Sequence, residues 1–263
     1  MKSLLLLFTS LLLNTVVVAQ IDSLCTKKTI PYKWELSAAI NSVEAQMGQP
    51  LYDSWYWAYT NIYGYFGDRT DKSFSVSIVP KYSISDNIKL RLEAGITNIN
   101  IQSNFNGISD SGTTSNNTLI KNDTILQKIY RLIPGVQWHL ISTKYIEGYC
   151  GLSLSYLNYS EAQWWDNLQN NQTGQSERYV GTAKGGYAIG VGGFSGFNIH
   201  LHKTISIGAE LASSFQYYKL GGTFIGTHEY SWTTPKQFSI TNSSATGTQF
   251  SKIMYSFHIN FRL

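Results

Sequence analysis

The sequence predicts an all-β protein built as an eight-stranded, antiparallel, up-and-down β-barrel. Hydrophobic side chains recur at every second residue in eight stretches, which is the spacing of a β-strand with two different faces. The composition of 18 Tyr, 12 Phe, 7 Trp and 22 Gly favours strands over helices. Short and long connections alternate between the eight stretches, as they do when consecutive strands run up and down.

The first 19 residues are expected to be removed before the protein folds. Lys2 precedes a long apolar run that ends at small residues before Gln20, which is typical of a secretory signal peptide cleaved near Ala19. A membrane anchor is the alternative, but Thr9 and Asn14 interrupt the run. No later stretch approaches the roughly 18 apolar residues of a spanning helix, so any insertion into a membrane must use strands.

The strands follow from the alternation along the chain. In the first, residues 33–41, the apolar side chains are Trp34, Leu36, Ala38 and Ile40, and the polar set is Lys33, Glu35, Ser37 and Asn41. Similar alternation predicts the other seven strands near residues 74–84, 88–96, 130–140, 146–156, 187–201, 205–217 and 253–263.

The predicted connections fall into two classes. Three-residue turns are expected at residues 85–87, 142–144 and 202–204, and long loops at roughly 47–72, 103–125, 161–180 and 222–249. Because the two classes alternate strictly, all short turns lie at one end of the barrel and all long loops at the other. Barrels of bacterial outer membranes have this asymmetry.

The same alternation would suit a secreted calycin-like barrel with its apolar face around a ligand. The polar set, however, is rich in Gly, Ser and Ala, which suit a crowded interior better than a solvated exterior. Aromatic residues also cluster near the predicted strand ends, as in an interfacial girdle: Trp34, Tyr82, Tyr130, Trp138, Tyr145, Tyr156, Tyr187 and Tyr217. These observations favour a transmembrane barrel with its apolar rows in lipid.

The C-terminal strand carries a resemblance to a known family. Its apolar row ends the chain with Tyr255, Phe257, Ile259, Phe261 and Leu263. The mature chain resembles small outer-membrane β-barrel proteins of the OmpA/OmpX kind, whose last strand is the signal for the outer-membrane assembly machinery. That family usually ends in Phe or Trp, whereas this chain ends in Leu263. The resemblance implies short periplasmic turns and long extracellular loops, with residues 1–19 as signal peptide, 20–32 as a periplasmic segment and 33–263 as the outer-membrane barrel.

Charged residues on the polar face are expected to form a network inside the lumen. The predicted members are Lys89, Arg91, Glu93, Arg131, Glu147, Lys184 and Glu210, and the other inward positions include Lys81, His139, His200, His258 and Arg262. Buried charges persist when they are paired, so the glutamates should pair with the arginines and lysines. Because eight strands leave only enough room for side chains, the network should block conduction, with a small-ion path as the alternative. The histidines lack a metal-ligand spacing, and no metal or cofactor is predicted.

The predicted loops suggest a role at the cell surface. Trp55, Tyr56, Trp57 and Tyr59 lie together in the first loop, where aromatic rings can stack on sugars or anchor a protein partner; alternatively, they belong to the girdle. No catalytic residue is predicted, because no Ser lies in an evident pairing with a His. His228, next to Glu229, is the least implausible candidate.

The expected function is therefore structural or surface-interacting rather than enzymatic. The expected partners are outer-membrane lipids including lipopolysaccharide, the assembly machinery, and an unknown external ligand or protein. A net charge of +4 without a Lys/Arg cluster gives no reason to expect nucleic acid. Alternatives are a small outer-membrane channel, a lipid-modifying enzyme, or a secreted calycin-like binder. Cys25 and Cys150 are expected to be unpaired.

Overall fold

A computed structural model describes residues 32–42, 68–109, 117–170, 174–231, 237–251 and 253–263. These residues form twelve antiparallel strands, which confirms the all-β, antiparallel prediction. In chain order they are β1 (Trp34–Asn41), β2 (Asp68–Asp71), β3 (Phe74–Ser85), β4 (Ile88–Ser109), β5 (Asn117–Ser142), β6 (Ile146–Tyr159), β7 (Ala162–Asn170), β8 (Ser176–Ala183), β9 (Gly186–His200), β10 (Ile205–Tyr230), β11 (Gln237–Phe250) and β12 (Met254–Arg262). Within these ranges, no helix is long and apolar enough to cross a membrane.

Eight strands pair on both sides and form what we call the ring. β1 pairs with β3, and the ladder continues through β4, β5, β6, β9 and β10 to β12. β12 in turn pairs with β1, with Phe257 opposite Ile40 and Phe261 opposite Leu36. The order around the ring is therefore the order along the chain, which is an up-and-down arrangement.

The other four strands continue the ring at one end, and we call this part the extension. β2 pairs with the end of β4, β7 pairs with β5 and β8, and β8 and β11 pair with β10. The short connections lie at the opposite end of the ring, at residues 86–87, 143–145 and 201–204, each within about one residue of its expected place. The chain end lies there too, since the Leu263 amide donates to the Trp34 carbonyl.

The prediction of eight strands joined by long loops is wrong for three of those loops. Residues 103–125, 161–180 and 222–249 are largely strand: β4 continues to Ser109, β5 begins at Asn117, β7 and β8 form a hairpin, and β10 pairs with β11. These segments are rich in Asn, Ser, Thr and Gly, so their side chains lack the apolar alternation of the ring. Their backbone groups nevertheless satisfy one another in the ladders. Residues 43–67, which hold most of the first predicted loop, lie outside the described residues.

The ring passes into the extension at an irregular point in β10. Gly221 and Gly222 have φ angles of 83° and 141°, which side-chain-bearing residues rarely adopt. On the partner side, β8 ends at Ala183 and β9 begins at Gly186. A Cβ at Gly185 would collide with the carbonyl of Tyr159. Glycine is therefore required on both sides of this junction, where β10 changes its partner from β9 to β8.

The two faces of the ring differ as the period of two dictates. On β12, Met254, Ser256, His258 and Asn260 are buried, while the alternate residues are exposed. Asn260 is fully buried, and Phe257 is 69% exposed. On β12, the polar row thus faces the interior of the ring, and the apolar row faces outward. Cys150 is a free thiol on β6, and Cys25 lies outside the described residues.

Candidate functional site

The interior of the ring collects the charged side chains of seven of its strands. Every second residue of a strand points inward, and the closed pairing directs these rows toward one another. At the end with the short turns, Glu35 on β1 meets Lys81 on β3 and Lys89 on β4. The nitrogen–oxygen distances are 2.7 Å and 3.0 Å. All three side chains are nearly fully buried, so each charge depends on its partners.

Glu147 on β6 is the second centre of charge at this end. One oxygen lies 3.3 Å from the Lys89 ammonium and 2.8 Å from His139 Nδ1. The other accepts a hydrogen bond from Arg262 at 2.6 Å and lies 3.5 Å from His200 Nε2. Glu147 therefore joins the last strand of the chain to the middle strands of the ring.

A second group of ion pairs lies farther from the turns. Arg91 donates to Glu210 at 2.5 Å and to Glu93 at 3.4 Å. Arg131 donates to the other Glu93 oxygen at 2.9 Å and to the Ser75 hydroxyl at 2.8 Å. The two arginines and two glutamates balance in charge, which is the condition for keeping them buried.

Hydrogen bonds connect the two groups of charges. The Tyr149 hydroxyl donates to Glu210 at 3.1 Å and lies 3.3 Å from His258 Nε2. His258 in turn lies 3.0 Å from the Asn198 side-chain oxygen, which also accepts from Asn260 at 3.1 Å. Lys81 donates to the oxygen of Asn260 at 3.2 Å. The charged groups thus belong to one connected set, which we call the interior network.

Six of the seven predicted lumen charges lie in the interior network: Lys89, Arg91, Glu93, Arg131, Glu147 and Glu210. The placement of Lys184 there is wrong. It lies between β8 and β9, its side chain is exposed, and no ion pair involves it within the described ranges. The inward row of β9 begins only at Gly186, so extending the alternation to Lys184 carried the strand too far.

Two important members of the network were absent from the predicted site. Glu35 contacts two lysines, and Tyr149 connects the two charge groups. Glu35 belongs to the polar row of the first predicted strand, and Tyr149 lies two residues after Glu147 and so shares its face. This shared face is the signal that could have identified both residues. Phe194, whose ring lies 4.2 Å from the Arg91 guanidinium carbon, has no such signal because it is an apolar residue on the inward face.

A layer of apolar side chains crosses the interior beyond the ion pairs. Its members come from five strands and are almost completely buried: Ile99, Ile101, Ile129, Leu157, Tyr159, Ala188 and Leu220. A cavity of about 50 Å³ remains beside Arg91 and Arg131, and Leu157 and Met254 also line it. The sequence did not indicate this layer, because its residues lie past the ends of the predicted strands or among polar inward neighbours.

The extension holds a separate polar cluster around His228. Its Nε2 atom lies 2.8 Å from Glu177, and its Nδ1 atom lies 3.0 Å from the Tyr230 hydroxyl. The ring of Tyr179 packs edge-on against the imidazole at 5.0 Å. The carboxylate beside His228 is therefore Glu177 on β8, not the neighbouring Glu229 suggested by the sequence. No serine is among these contacts of His228.

The remaining predicted site residues divide into two groups. The aromatic candidates Trp55, Tyr56, Trp57 and Tyr59 lie outside the described residues. The apolar row of β12 is exposed on the outer surface: Tyr255, Phe257, Ile259, Phe261 and Leu263. Across the described part of the chain, no cluster of three or more His, Cys, Asp or Glu side chains is suited to a metal ion.

No protein family matches the sequence, and no curated relative does. Solved structures with a similar fold include the outer membrane protein OprG from Pseudomonas aeruginosa, at 11% identity and a TM-score of 0.41, covering 90% of this chain and 98% of that one. CarO from Acinetobacter baumannii has 10% identity and a TM-score of 0.38, with 90% and 100% covered. A major outer membrane protein from Thermus thermophilus has 11% identity and a TM-score of 0.38, with 89% and 100% covered.

Proposed function

We propose that this protein is an integral outer-membrane β-barrel with a closed lumen and a structural or surface-interaction role. The observation that carries the proposal is the distribution of its side chains. Ile40 and Leu152 on the outer surface are 68% and 62% exposed, whereas Lys89 and Glu147 in the interior are about 2% and 1% exposed. A continuous apolar outer surface is unfavourable in water and is the normal surface of a barrel in lipid.

Aromatic side chains at the limits of this outer surface support a membrane position. At the turn end, the rings of Trp34 and Tyr82 lie 4.9 Å apart, and Tyr145 is exposed. Toward the extension, Tyr156 and Tyr217 are exposed on the same outer face. Such rings favour the boundary between lipid and water. Together with the signal peptide that the sequence predicts, this arrangement favours short turns in the periplasm and the extension outside the cell.

The composition of the interior argues against a secreted binder of apolar ligands. Such a protein would need an apolar cavity inside the barrel. The interior instead contains paired charges, an apolar layer and a cavity of only about 50 Å³. A filled interior also argues against a channel. Among the described residues, His228 contacts Glu177, Tyr179 and Tyr230.

The proposed contacts with partners lie on three surfaces. The apolar outer surface would contact membrane lipids, including lipopolysaccharide in the outer leaflet. The exposed row of β12 that ends at Leu263 would be read by the assembly machinery. The extension, with residues 43–67 adjoining it in sequence, would meet an external ligand or protein partner.

Fractionation and gel mobility test this proposal. The full chain is produced in a Gram-negative host, the envelope is separated, and outer-membrane material is compared on a gel with and without boiling. We expect a detergent-extracted outer-membrane band whose mobility changes on heating, because a closed barrel resists detergent until it is heated. A chain without residues 1–19 serves as the control and should not reach the membrane. A soluble full-length protein without a heat-dependent shift would contradict the proposal.

A further inference from the structure

The interior of the ring holds one more buried cation than buried carboxylate. Within the described residues, its cationic side chains number five: Lys81, Lys89, Arg91, Arg131 and Arg262. Its carboxylates number four: Glu35, Glu93, Glu147 and Glu210. All of these side chains are at most 8% exposed, so water does little to screen the difference. Protonating a histidine or a glutamate would enlarge it. The excess therefore requires either an anion or the loss of one lysine proton.

The cavity of about 50 Å³ beside the second group of ion pairs is a place where an anion can be held. Two buried arginines, Arg91 and Arg131, line it together with the glutamates that they bind. Ser155 on β6 also lines it and is only 7% exposed, yet its hydroxyl has no hydrogen-bond partner among the described residues. Buried hydroxyls are normally bonded, so the Ser155 hydroxyl indicates a guest in the cavity.

The polar groups that the cavity offers to a guest include unused donors. A guanidinium has five N–H groups, and the bonds from Arg91 to Glu210 and Glu93 use two of them. The carboxylates, in contrast, already accept from the arginines, and the Tyr149 hydroxyl also donates to Glu210. A guest that accepts hydrogen bonds therefore fits these groups better than one that donates them.

The cavity also lies close to the cations near the turns. The Lys81 ammonium is 6.0 Å from the centre of the Tyr149 ring, and the hydroxyl of that ring donates to Glu210 in the cavity wall. A single side chain thus separates the cavity wall from Lys81. At these distances in a dry interior, an anion in the cavity would interact with the excess charge.

The size of the cavity limits its guest to a very small species. One buried water molecule needs roughly 10–15 Å³ of such a cavity, so there is room for a monatomic ion with one or two waters. A sugar, a nucleotide or an acyl chain is too large. A metal cation would add to the excess charge, and water alone would satisfy the Ser155 hydroxyl but leave the charge uncorrected.

We propose that this cavity binds one small monovalent anion of the size of chloride, which balances the interior charge. The inference goes beyond the proposed function and does not depend on the membrane position, because every group that it uses lies inside the ring. The anion would be a structural component of the folded barrel, bound by N–H groups of Arg91 and by the Ser155 hydroxyl.

Unfolding in urea at different chloride concentrations tests the proposal. The protein is folded into lipid vesicles, and chloride is exchanged for gluconate, which is too large for the cavity, at constant ionic strength. Above the dissociation constant, the folding equilibrium constant should rise about tenfold for each tenfold increase in chloride, the dependence of a single bound ion. Bromide should replace chloride in this effect. Crystals grown in bromide should show one anomalous scattering peak in the cavity.

Two variants separate the roles of the cavity and of the charge. Ser155→Val removes the unpartnered hydroxyl and fills part of the cavity. Lys81→Gln equalises the interior charges without changing the lining, because Lys81 is not in contact with the cavity. Both variants should lose the chloride dependence. Ser195→Val is the matched control, since Ser195 is an exposed outward residue of β9, and it should keep the full dependence.

The comparison uses the chloride dependence of each protein, so a variant that is less stable but still folds gives a valid result. Equal stability in chloride and gluconate, with no bromide peak in the cavity, would overturn the proposal and indicate that a lysine loses its proton. A chloride dependence that Ser155→Val keeps would place the ion elsewhere. A dependence that Lys81→Gln keeps would contradict charge balance as the reason for binding. The bromide crystal tests the site in the unsubstituted protein even if a variant does not fold.

Discussion

Glu35 lies on the first strand of the ring, between two lysines that reach it from the next two strands. Its oxygens are 2.7 Å and 3.0 Å from the Lys81 and Lys89 nitrogens, and all three side chains are at most 4% exposed. Placing such charges in a dry interior is unfavourable unless each has a partner. One carboxylate thus compensates two cations, and its removal leaves both of them short of negative charge.

We therefore predict that Glu35→Gln lowers the free energy of unfolding by about 3–5 kcal/mol, the usual cost of breaking a buried ion pair. Urea-induced unfolding of protein folded into lipid vesicles, followed by the heat-dependent gel shift, measures this change. Glu161→Gln is the matched control, because Glu161 is an exposed residue between β6 and β7. It should change stability by less than about 0.5 kcal/mol. Equal effects of the two substitutions would argue against the compensating role of Glu35.

Two glycines on adjacent strands provide a second test of the interior packing. A Cβ at Gly151 would collide with the Phe194 ring and the Val136 carbonyl, whereas a Cβ at Gly193 meets nothing closer than the Gly151 carbonyl at 3.6 Å. Gly151→Ala should therefore destabilise the protein by about 1–3 kcal/mol through overpacking. Gly193→Ala should be nearly neutral in the same unfolding measurement. The prediction fails if Gly193→Ala is the more harmful substitution.

For single residues, the sequence predicted which face of the barrel each charged side chain occupies. It was less accurate about which ion-pair partner each of these side chains meets. Alternation along a strand is a local property, so it placed Arg91, Glu93 and Glu210 on inward rows. Partner choice depends on how the strands are aligned, since Arg91 meets Glu210 from a strand 119 positions later in the chain. Lys184 shows the limit of a local pattern. It lies two residues before Gly186, where β9 begins, so the alternation no longer determines where its side chain points.

At the scale of elements, the ring and the extension differ in what surrounds their exposed residues. Leu154 on β6 is 59% exposed and belongs to the outer surface of the ring. Ile240 on β11 is 72% exposed and belongs to the extension. If both side chains faced water, the two positions would tolerate a charged substitution equally well. In the proposed membrane, only the first faces hydrocarbon.

Leu154→Arg should accordingly destabilise the folded protein by about 2–4 kcal/mol, which is the cost of a cation near the middle of a bilayer. Ile240→Arg should leave stability within about 0.5 kcal/mol of the unsubstituted protein. Reversible unfolding from lipid vesicles gives both values. Equal tolerance of the two arginines would show that the ring does not have its apolar surface in lipid.

The strands of the ring could be located from the sequence, but those of the extension could not. Ring strands separate an apolar environment from a polar one, and this separation produces the period of two. In the proposed membrane position, the β7–β8 hairpin and β11 would not separate lipid from a polar interior, so Asn, Gln, Ser and Thr can occupy either face. Their backbone pairing stabilises them without a sequence pattern, which is why these segments resembled loops.

At the scale of the whole molecule, two different layers close the interior in series. The interior network crosses the ring near the turns, and the apolar layer around Ile129 and Leu220 crosses it farther along. An ion would have to separate paired charges and then enter an apolar region. Either step is unfavourable, so loss of one layer should leave the other in place.

We predict no stepwise ionic current from the protein in planar bilayers, and none from the variant Leu157→Ser, which weakens only the apolar layer. Both proteins should first be shown to be folded by the heat-dependent gel shift. Single-channel recording at high salt concentration gives the result. Defined conductance steps from the unsubstituted protein would contradict a closed lumen and favour a channel instead.

If the proposed orientation holds, the length of β10 sets how far the protein reaches from the cell. This strand has 26 residues, and an inclined strand needs only about 10 of them to cross hydrocarbon. The rest, at about 3.3 Å per residue, would amount to roughly 50 Å of chain beyond the bilayer. His228 and Tyr230 near its tip would therefore stand clear of the lipid headgroups, among the sugar chains of the surface. In the proposed orientation, a macromolecule approaching from the medium would meet this tip before it met the membrane, and the extension would act as a stalk.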